Sequence, residues 1–386
     1  MDEVVLAGAV RTPIGKFGGT LARFSAVELA AAAGREALRR AGLEPGQVDE
    51  TVLGQARQAG SGPNPGRQSA IACAIPVEKP AYTINQACLS GMQAILAARR
   101  SIRLGEAEVV LALGSEAMSR VPYLLDARWG TRMGDRRISD AMYQDGFLDP
   151  MSGKIMGETA ETLARQYRIP REEQDTYAAE SQNRCARAAA SGDFRDEIVP
   201  VADLDHDEHP RAGVTAASLA KLPPVFEEGG TVSAGNSSGI TDGAAALLVL
   251  SRSAARRLRV PVMARIVDAE VAGVDPAVMG IGPVPAVRRL LERTGRTLDG
   301  IDLVELNEAF AAQVLAVDRE LRFDRARLNV NGGAIALGHP IGCSGARIVV
   351  TLLHALRRRG GRSGLATLCV SGGLGGALLV EREEAA

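Results

Sequence analysis

The chain has 386 residues, 46% hydrophobic and 24% charged, and 45 basic residues nearly cancel 46 acidic ones to leave a formal net charge of −1. Such a length allows two compact domains or one large duplicated one, and so small a net charge supplies no global field to recruit nucleic acid or an anionic membrane. No stretch reaches the roughly 18 apolar residues of a bilayer span, Met1-Asp2-Glu3 puts acids where a signal peptide carries basic residues, and the five cysteines are widely spaced, with neither zinc-ligand pairs nor a disulfide framework. A cytoplasmic protein without metal is expected.

In chain order, Val4 to Val10 reads as a buried strand, an apolar run without alternation. Ser25 caps a helix through about Ala41, with Glu28 completing a capping box and Gly42 ending it. Val48 to Gly54 is a second strand, and Pro80 to Gln86 a third that runs into Cys88 and a helix from about Ser90 to Leu104. Glu108 to Gly114 is a fourth strand. Strand and helix alternate, which implies a layered α/β fold with a mostly parallel sheet.

The pattern then recurs. Val48 to Gly54 resembles Ile301 to Asn307, Ser90-Gly91 opens a helix as Ser344-Gly345 does, and an apolar strand follows each, Glu108 to Gly114 and Gly364 to Val370. An internal duplication follows, with halves expected at 1–118 (its last strands continuing near 244–252) and 253–386. Between them, 119–243 breaks the pattern with charged helices around Glu158 to Tyr167 and Arg171 to Ala190, then a Pro/Gly-rich stretch from Pro200 to Gly239. It reads as an inserted loop domain forming a lid or binding surface. A pseudo-two-fold axis would aim the helices starting near Ser90 and Ser344 at a shared centre, where free N–H groups favour a thiolate or an oxyanion.

Four motifs carry chemistry. Asn85-Gln-Ala-Cys88-Leu-Ser-Gly91 sets a cysteine at a strand-to-helix turn, among small residues that would allow close approach of a substrate. A free cysteine is ordinarily a small core hydrophobe, so context decides its role. Asn329 to Gly345 surrounds His339 with five glycines, too many for ordinary packing. Thr367-Leu-Cys369-Val-Ser-Gly-Gly-Leu-Gly-Gly376 is a strand, a cysteine and a glycine-rich turn, without the Lys-Ser/Thr of a phosphate loop. Leu306-Asn-Glu-Ala-Phe310 is a polar pair ending an apolar strand. Asp203 to His209, with two histidines and several acids, looks metal-like but lies in a charged loop without an apolar seat and reads as solvated; Cys73, Cys185 and Cys343 read as packing residues.

As a set, in the order Cys, Asn-Glu-Ala-Phe, Gly-His-Pro, Cys-x-x-Gly-Gly, these motifs resemble the thiolase family along nearly the whole chain. The resemblance implies a duplicated five-layer α/β fold, two βαβαβ-type halves with mixed sheets plus the inserted loop domain. It implies Cys88 as the acylated nucleophile, His339 as its activator, Cys369 as the second acid/base, and Asn307 as the holder of a water that helps stabilise the thioester oxygen. Acyl-CoA is then the substrate, with no tightly bound cofactor. Thr231 to Gly243 resembles the pantetheine loop and puts Ala234 and Ser238 beside the CoA arm. Arg211 matches an arginine near the CoA phosphates, while Ser218, Phe226, Met156, Phe147 and Phe310 fall at cofactor- or acyl-lining positions. The segments Val121 to Leu125, Ala127 to Gly130 and Met133 to Asp135 resemble the tetramerising, acetyl-specific type, so a homotetramer is expected.

Two departures stand out: Ser371 takes the place of a glycine after Cys369, and Ile155 that of a histidine before Met156. The leading expectation is reversible condensation of two acetyl-CoA to acetoacetyl-CoA. The alternatives are a 3-ketoacyl-CoA thiolase for longer chains and, from another class, a non-catalytic acyl-CoA or lipid carrier, which needs no matched nucleophile and bases.

Overall fold

A computed structural model describes residues 2–383; Met1 and 384–386, the outer ends of the first and last expected segments, lie outside the described residues. Strand β1, Val4–Arg11, is buried throughout, as its unbroken apolar run demands. Helix α1, Ala26–Ala41, begins where Ser25 Oγ accepts the Glu28 N–H at 3.2 Å and the Glu28 carboxylate accepts the Ser25 N–H at 2.8 Å. It ends at Gly42, whose φ of 68° favours a residue without Cβ. There follow β2 (Glu50–Gly54), β3 (Ala81–Ile84), α2 (Ser90–Leu104) and β4 (Val109–Ala117), all at their expected places in the chain.

The insertion carries α3 (Met156–Gln166) and α4 (Arg171–Ser191). Strands β5 (Thr241–Ser251) and β6 (Val262–Gly273) come next, then α5 (Pro283–Thr294), β7 (Leu303–Leu306), α6 (Ala311–Leu321), α7 (Ile341–Arg359), β8 (Ser363–Val370) and β9 (Leu374–Arg382).

The nine strands run in the order β7-β8-β9-β6-β1-β5-β4-β2-β3. In one half β2 is parallel to β3 and β4, while β4 pairs antiparallel with β5 and β5 with β1. In the other, β7 is parallel to β8, β8 antiparallel to β9, and β9 antiparallel to β6. A parallel bridge from Val304 to Leu328 stands where β2 meets β3. The halves join where β1 pairs antiparallel with β6. The sheet is therefore mixed and not mostly parallel. Helical crossovers account for the parallel neighbours, but each half also has a return strand, and a return strand is antiparallel. In one half the return is the tight turn Ser371–Gly373, with φ of 86° at Gly372 and 79° at Gly373. In the other, the whole insertion between Ala117 and Thr241 occupies that place.

Five layers follow. α1 covers one half and α5 the other, while α2 and α7 lie against each other between them. Along β1, Val5 and Ala7 face the outer core with α1, and Val4 and Leu6 face the central core with α2 and α7. A third core gathers α5, α6 and the far face of β8 and β9. The two central helices meet closely at Gly91, where a Cβ would lie 2.7 Å from Ala346 N and 2.9 Å from Gly342 O. Gly91 thus serves helix packing, not the substrate approach expected of it.

Within the insertion, Tyr123–Leu125 and Ile138–Asp140 form a separate two-stranded ribbon. Its connecting segment holds Trp129 at 92% and Met133 at 94% exposure. No described helix is long and apolar enough to cross a membrane.

Candidate active site

Between β3 and α2 the backbone turns sharply, and Ala87 takes a φ of 46°. A left-handed conformation costs an alanine about 1–2 kcal/mol, and the neighbours hold it there. Asn85 Oδ1 accepts the Ala87 N–H at 3.0 Å and Asn85 Nδ2 donates to Ala56 O at 3.0 Å. Ser90 Oγ accepts the Gln86 N–H at 2.9 Å and donates to Ala87 O at 2.7 Å. The next residue, Cys88, is half-buried and fixed in direction.

His339 enters from the loop before α7. Its preceding residue Gly338 has a φ of 98°, and a Cβ there would strike Thr241 Cγ2 at 2.2 Å. The His339 N–H donates to Gly239 O at 3.0 Å, tying this loop to the expected pantetheine loop. Its Nε2 lies 3.3 Å from Cys88 Sγ, and its Nδ1 lies 2.5 Å from Ser344 Oγ. Because Ser344 Oγ donates to Pro340 O at 3.0 Å, it accepts from Nδ1. Nε2 therefore presents its lone pair to Cys88, and Asn307 Nδ2 approaches the same nitrogen at 3.4 Å.

Burial pushes the His339 pKa down to about 3, and the positive charges of Arg347 and Arg57 push the same way. Burial also raises the Cys88 thiol, outweighing Arg57 and the backbone N–H groups of Ser371 and Cys88, which all favour the thiolate. The backbone N–H groups thus favour the thiolate, as expected of the helix start, but do not prevail. Desolvation exceeds the dipoles, and the pair rests as neutral imidazole and thiol.

Cys369, near the end of β8, is wholly buried and its thiol is raised further, by burial and then by the Cys88 charge. Ser371 begins the turn beyond it without a positive φ, so serine meets no backbone strain there and keeps its N–H.

Cys88, His339, Cys369 and Ser371 line one cleft of about 460 Å³. Phe147, Met156, Phe226, Phe310, Ala234, Ser238 and Arg211 line it as well, as does Ile155. Phe226 and Phe310 meet edge to face with centroids 6.0 Å apart, and a Cβ on Gly157 would lie 2.2 Å from the Phe226 ring. Arg211 is exposed. Ser218 is not among the lining residues; it closes a one-turn helix by donating to Thr215 O at 2.7 Å. Asn307 also lies behind the surface, touching His339 while its Oδ1 has no protein partner.

The segment 203–209 is solvated only in part: Asp203, Asp205 and His206 are exposed, while Asp207, Glu208 and His209 are half-buried. Asp207 pairs with buried Arg11 at 2.6 Å, Glu208 Oε1 accepts from Thr20 Oγ1 at 2.5 Å, and His209 lines the cleft with Nδ1 2.8 Å from Ala336 O. These side chains serve separate partners, because the segment packs on the first strands instead of projecting from them. Cys73, Cys185 and Cys343 are buried in cores.

Sequence reasoning missed Ser344, Glu116 and Arg57. Ser344 was seen only as a mark of the repeat, though its place in the first turn after Pro340 could have revealed it. Glu116 sits in a buried strand and accepts backbone N–H groups from Ala56, Arg57 and Gly342. Arg57 follows β2 and lines the cleft, and nothing in its local pattern marks it.

Two family models match the chain, "Thiolase, N-terminal domain" over residues 4–253 and "Thiolase, C-terminal domain" over residues 260–382. An acetyl-CoA acetyltransferase of Pseudomonas aeruginosa is 52% identical, with 99% of this chain and 100% of the relative covered. A probable acetyl-CoA acetyltransferase of Escherichia coli is 50% identical, with 100% of each covered. Among solved structures, the acetyl-CoA acetyltransferase of Bacillus anthracis superposes with a TM-score of 0.97 at 48% identity, covering 99% of both chains. Human mitochondrial 3-ketoacyl-CoA thiolase in complex with CoA does so with 0.97 at 43%, covering 99% of this chain and 98% of the other.

Proposed function

The chain belongs to the thiolase family, and we propose that it acts as an acetyl-CoA C-acetyltransferase, joining two acetyl-CoA reversibly into acetoacetyl-CoA and CoA through an acetylated Cys88. The observation that carries this reading is the 3.3 Å contact of Cys88 Sγ with an imidazole whose other nitrogen is committed to Ser344. A positioned thiol with a neutral base is the arrangement that nucleophilic attack on a thioester requires.

In the first half-reaction Cys88 Sγ attacks the thioester carbonyl of acetyl-CoA while His339 Nε2 takes its proton. The bond to the CoA sulfur breaks, Cys369 hands its proton to that sulfur, and CoA leaves. In the second, the Cys369 thiolate removes a proton from C2 of another acetyl-CoA. The resulting carbanion attacks acetyl-Cys88, acetoacetyl-CoA departs, and His339 returns the stored proton to Cys88. Every proton is restored. A thiol kept protonated by burial suits Cys369 to the first of these tasks. The N–H groups of Cys88 and Ser371 supply donors for the oxyanion on one side, and His339 with a water held by Asn307 supplies them on the other.

CoA itself would run from Phe226, Ala234 and Ser238 toward Arg211 at the mouth, with Ser218 on the rim. Ile155, Met156, Phe147 and Phe310 give the cleft an apolar lining, which suits acyl groups longer than acetyl and favours a second reading as a 3-ketoacyl-CoA thiolase. A carrier would have no use for the proton relay. The exposed Trp129 and Met133 of the separate ribbon suit burial between copies of the chain, which supports a homotetramer; a cytoplasmic site of action and the segments 1–118, 119–243 and 253–386 complete the proposal. Steady-state thiolysis tests the mechanism. Varying CoA at several acetoacetyl-CoA concentrations should give parallel double-reciprocal lines, and intersecting lines would contradict a covalent intermediate.

A further inference from the structure

Arg57 is 7% exposed and lines the same cleft as Cys88 and His339. Among the described residues its guanidinium makes no hydrogen bond and no ion pair, and its Nε is shut off from solvent without a partner. The seat is built for it. Gly146 leaves the space it fills, since a Cβ there would lie 2.3 Å from Arg57 Nε and 2.6 Å from Nη2. Met118, Phe147 and Ile341, which pack together with Ala56, next to Arg57 in the chain, also line the cleft.

A buried guanidinium without a counter-ion is expensive. The charge of Glu116 offsets it in part from a distance, yet the Glu116 oxygens are taken by the backbone N–H groups of Ala56, Arg57 and Gly342. No group of the described residues therefore accepts from the guanidinium, and Arg57 lines this cleft as well as a smaller polar one beside Gln55 and Ser61; a planar fork of donors left without an acceptor matches a carboxylate in both shape and charge.

Resting on the thiolase reading above, we propose that Arg57 is a specificity-determining residue that anchors the distal carboxylate of an acyl-CoA, so that the enzyme accepts acyl groups ending in an anion besides acetyl. Cys88 Sγ attacks the thioester carbonyl of such a substrate, the bond to the CoA sulfur breaks, and CoA leaves as the thiol. The ω-carboxylated acyl group stays on Cys88, its carboxylate on Arg57. Condensation with acetyl-CoA then gives a 3-oxoacyl-CoA with a distal carboxylate.

Succinyl-CoA and butyryl-CoA, equal in chain length, test this by the rate at which each acylates the protein, followed by intact mass. Wild type is expected to take the succinyl group at least as efficiently as the butyryl group. In Arg57→Met the succinyl-to-butyryl ratio should fall about 10- to 100-fold, as loss of a hydrogen bond to a charged group implies, and Arg57→Lys should regain part of it. The ratio cancels any effect of the guanidinium on Cys88 itself, so an unchanged ratio overturns the proposal. A wild type acylated by acetyl-CoA and butyryl-CoA but about 100-fold more slowly by succinyl-CoA overturns it too, whether or not the variants fold. A wild type acylated by no thioester overturns the nucleophile assignment instead, and the two failures are distinct.

Discussion

Ser344 Oγ accepts the Nδ1–H of His339 at 2.5 Å while donating its own proton to Pro340 O at 3.0 Å. That one hydroxyl selects the tautomer in which Nε2 faces Cys88. It also explains why the loop and the first turn of α7 belong together chemically.

Ser344→Ala removes the acceptor and frees the ring to turn. A neutral hydrogen bond contributes about 1 kcal/mol, so kcat/KM for acetyl-CoA should fall about five-fold, and Ser344→Thr should recover most of it. Stopped-flow acylation measures both. Equal rates in Ser344→Ala and wild type would remove the hydroxyl from the mechanism.

The neutral resting pair sets the pH dependence. With His339 lowered to about 3 and Cys88 raised above its ordinary value, the acylation kcat/KM should be flat from about pH 5.5 to about 8 as far as this pair is concerned. An acidic limb near 6.5 that vanishes in His339→Asn would contradict the burial of the imidazole.

The same shift is linked to stability. The unfolded imidazole binds its proton near 6.5 and the folded one near 3. Between those values the unfolded state carries more protons, so stability falls as pH falls through this window. Denaturant melts at pH 6.5 and 4.5 should show wild type losing stability relative to His339→Asn; a difference independent of pH would contradict the burial of a neutral ring.

Gly91→Ala places a methyl group 2.7 Å from Ala346 N, in the contact between α2 and α7. Overpacking of this kind costs about 1–3 kcal/mol, and the melting temperature should drop accordingly. Cys88 lies one turn away, so the acylation rate should fall with it. A variant as stable as wild type would mean that the two helices have slack.

Trp129→Ser with Met133→Ser removes the two most exposed apolar side chains of the separate ribbon. Light scattering at matched concentration should show a smaller assembly than the tetramer proposed for wild type. An unchanged mass would place the oligomer contact elsewhere.

Much of this architecture was legible because it is local. The Ser25–Glu28 box, Gly42 and the apolar run of β1 each carry their signal within a few residues, and the four motifs carried Cys88, His339 and Cys369. The strand directions were not legible. Whether β8 returns as β9 through Gly372 and Gly373 depends on a turn, and whether β4 returns as β5 depends on where a long insertion ends. Gly91 was misread for a related reason, since its close neighbours Gly342 and Ala346 belong to the other half of the chain. Arg11 with Asp207 and His209 in the cleft are likewise long-range contacts, invisible to local composition. The pKa of Cys88 depends on burial, and no motif states how dry a site is.

The central claim is that Cys88 becomes acylated and that Cys369 does not. Intact-mass spectrometry after brief exposure to acetyl-CoA tests it in wild type, Cys88→Ser and Cys369→Ala. An acetyl adduct on wild type and Cys369→Ala, absent from Cys88→Ser, is the predicted result. An adduct that persists in Cys88→Ser, or none on wild type, would contradict the assignment of the nucleophile.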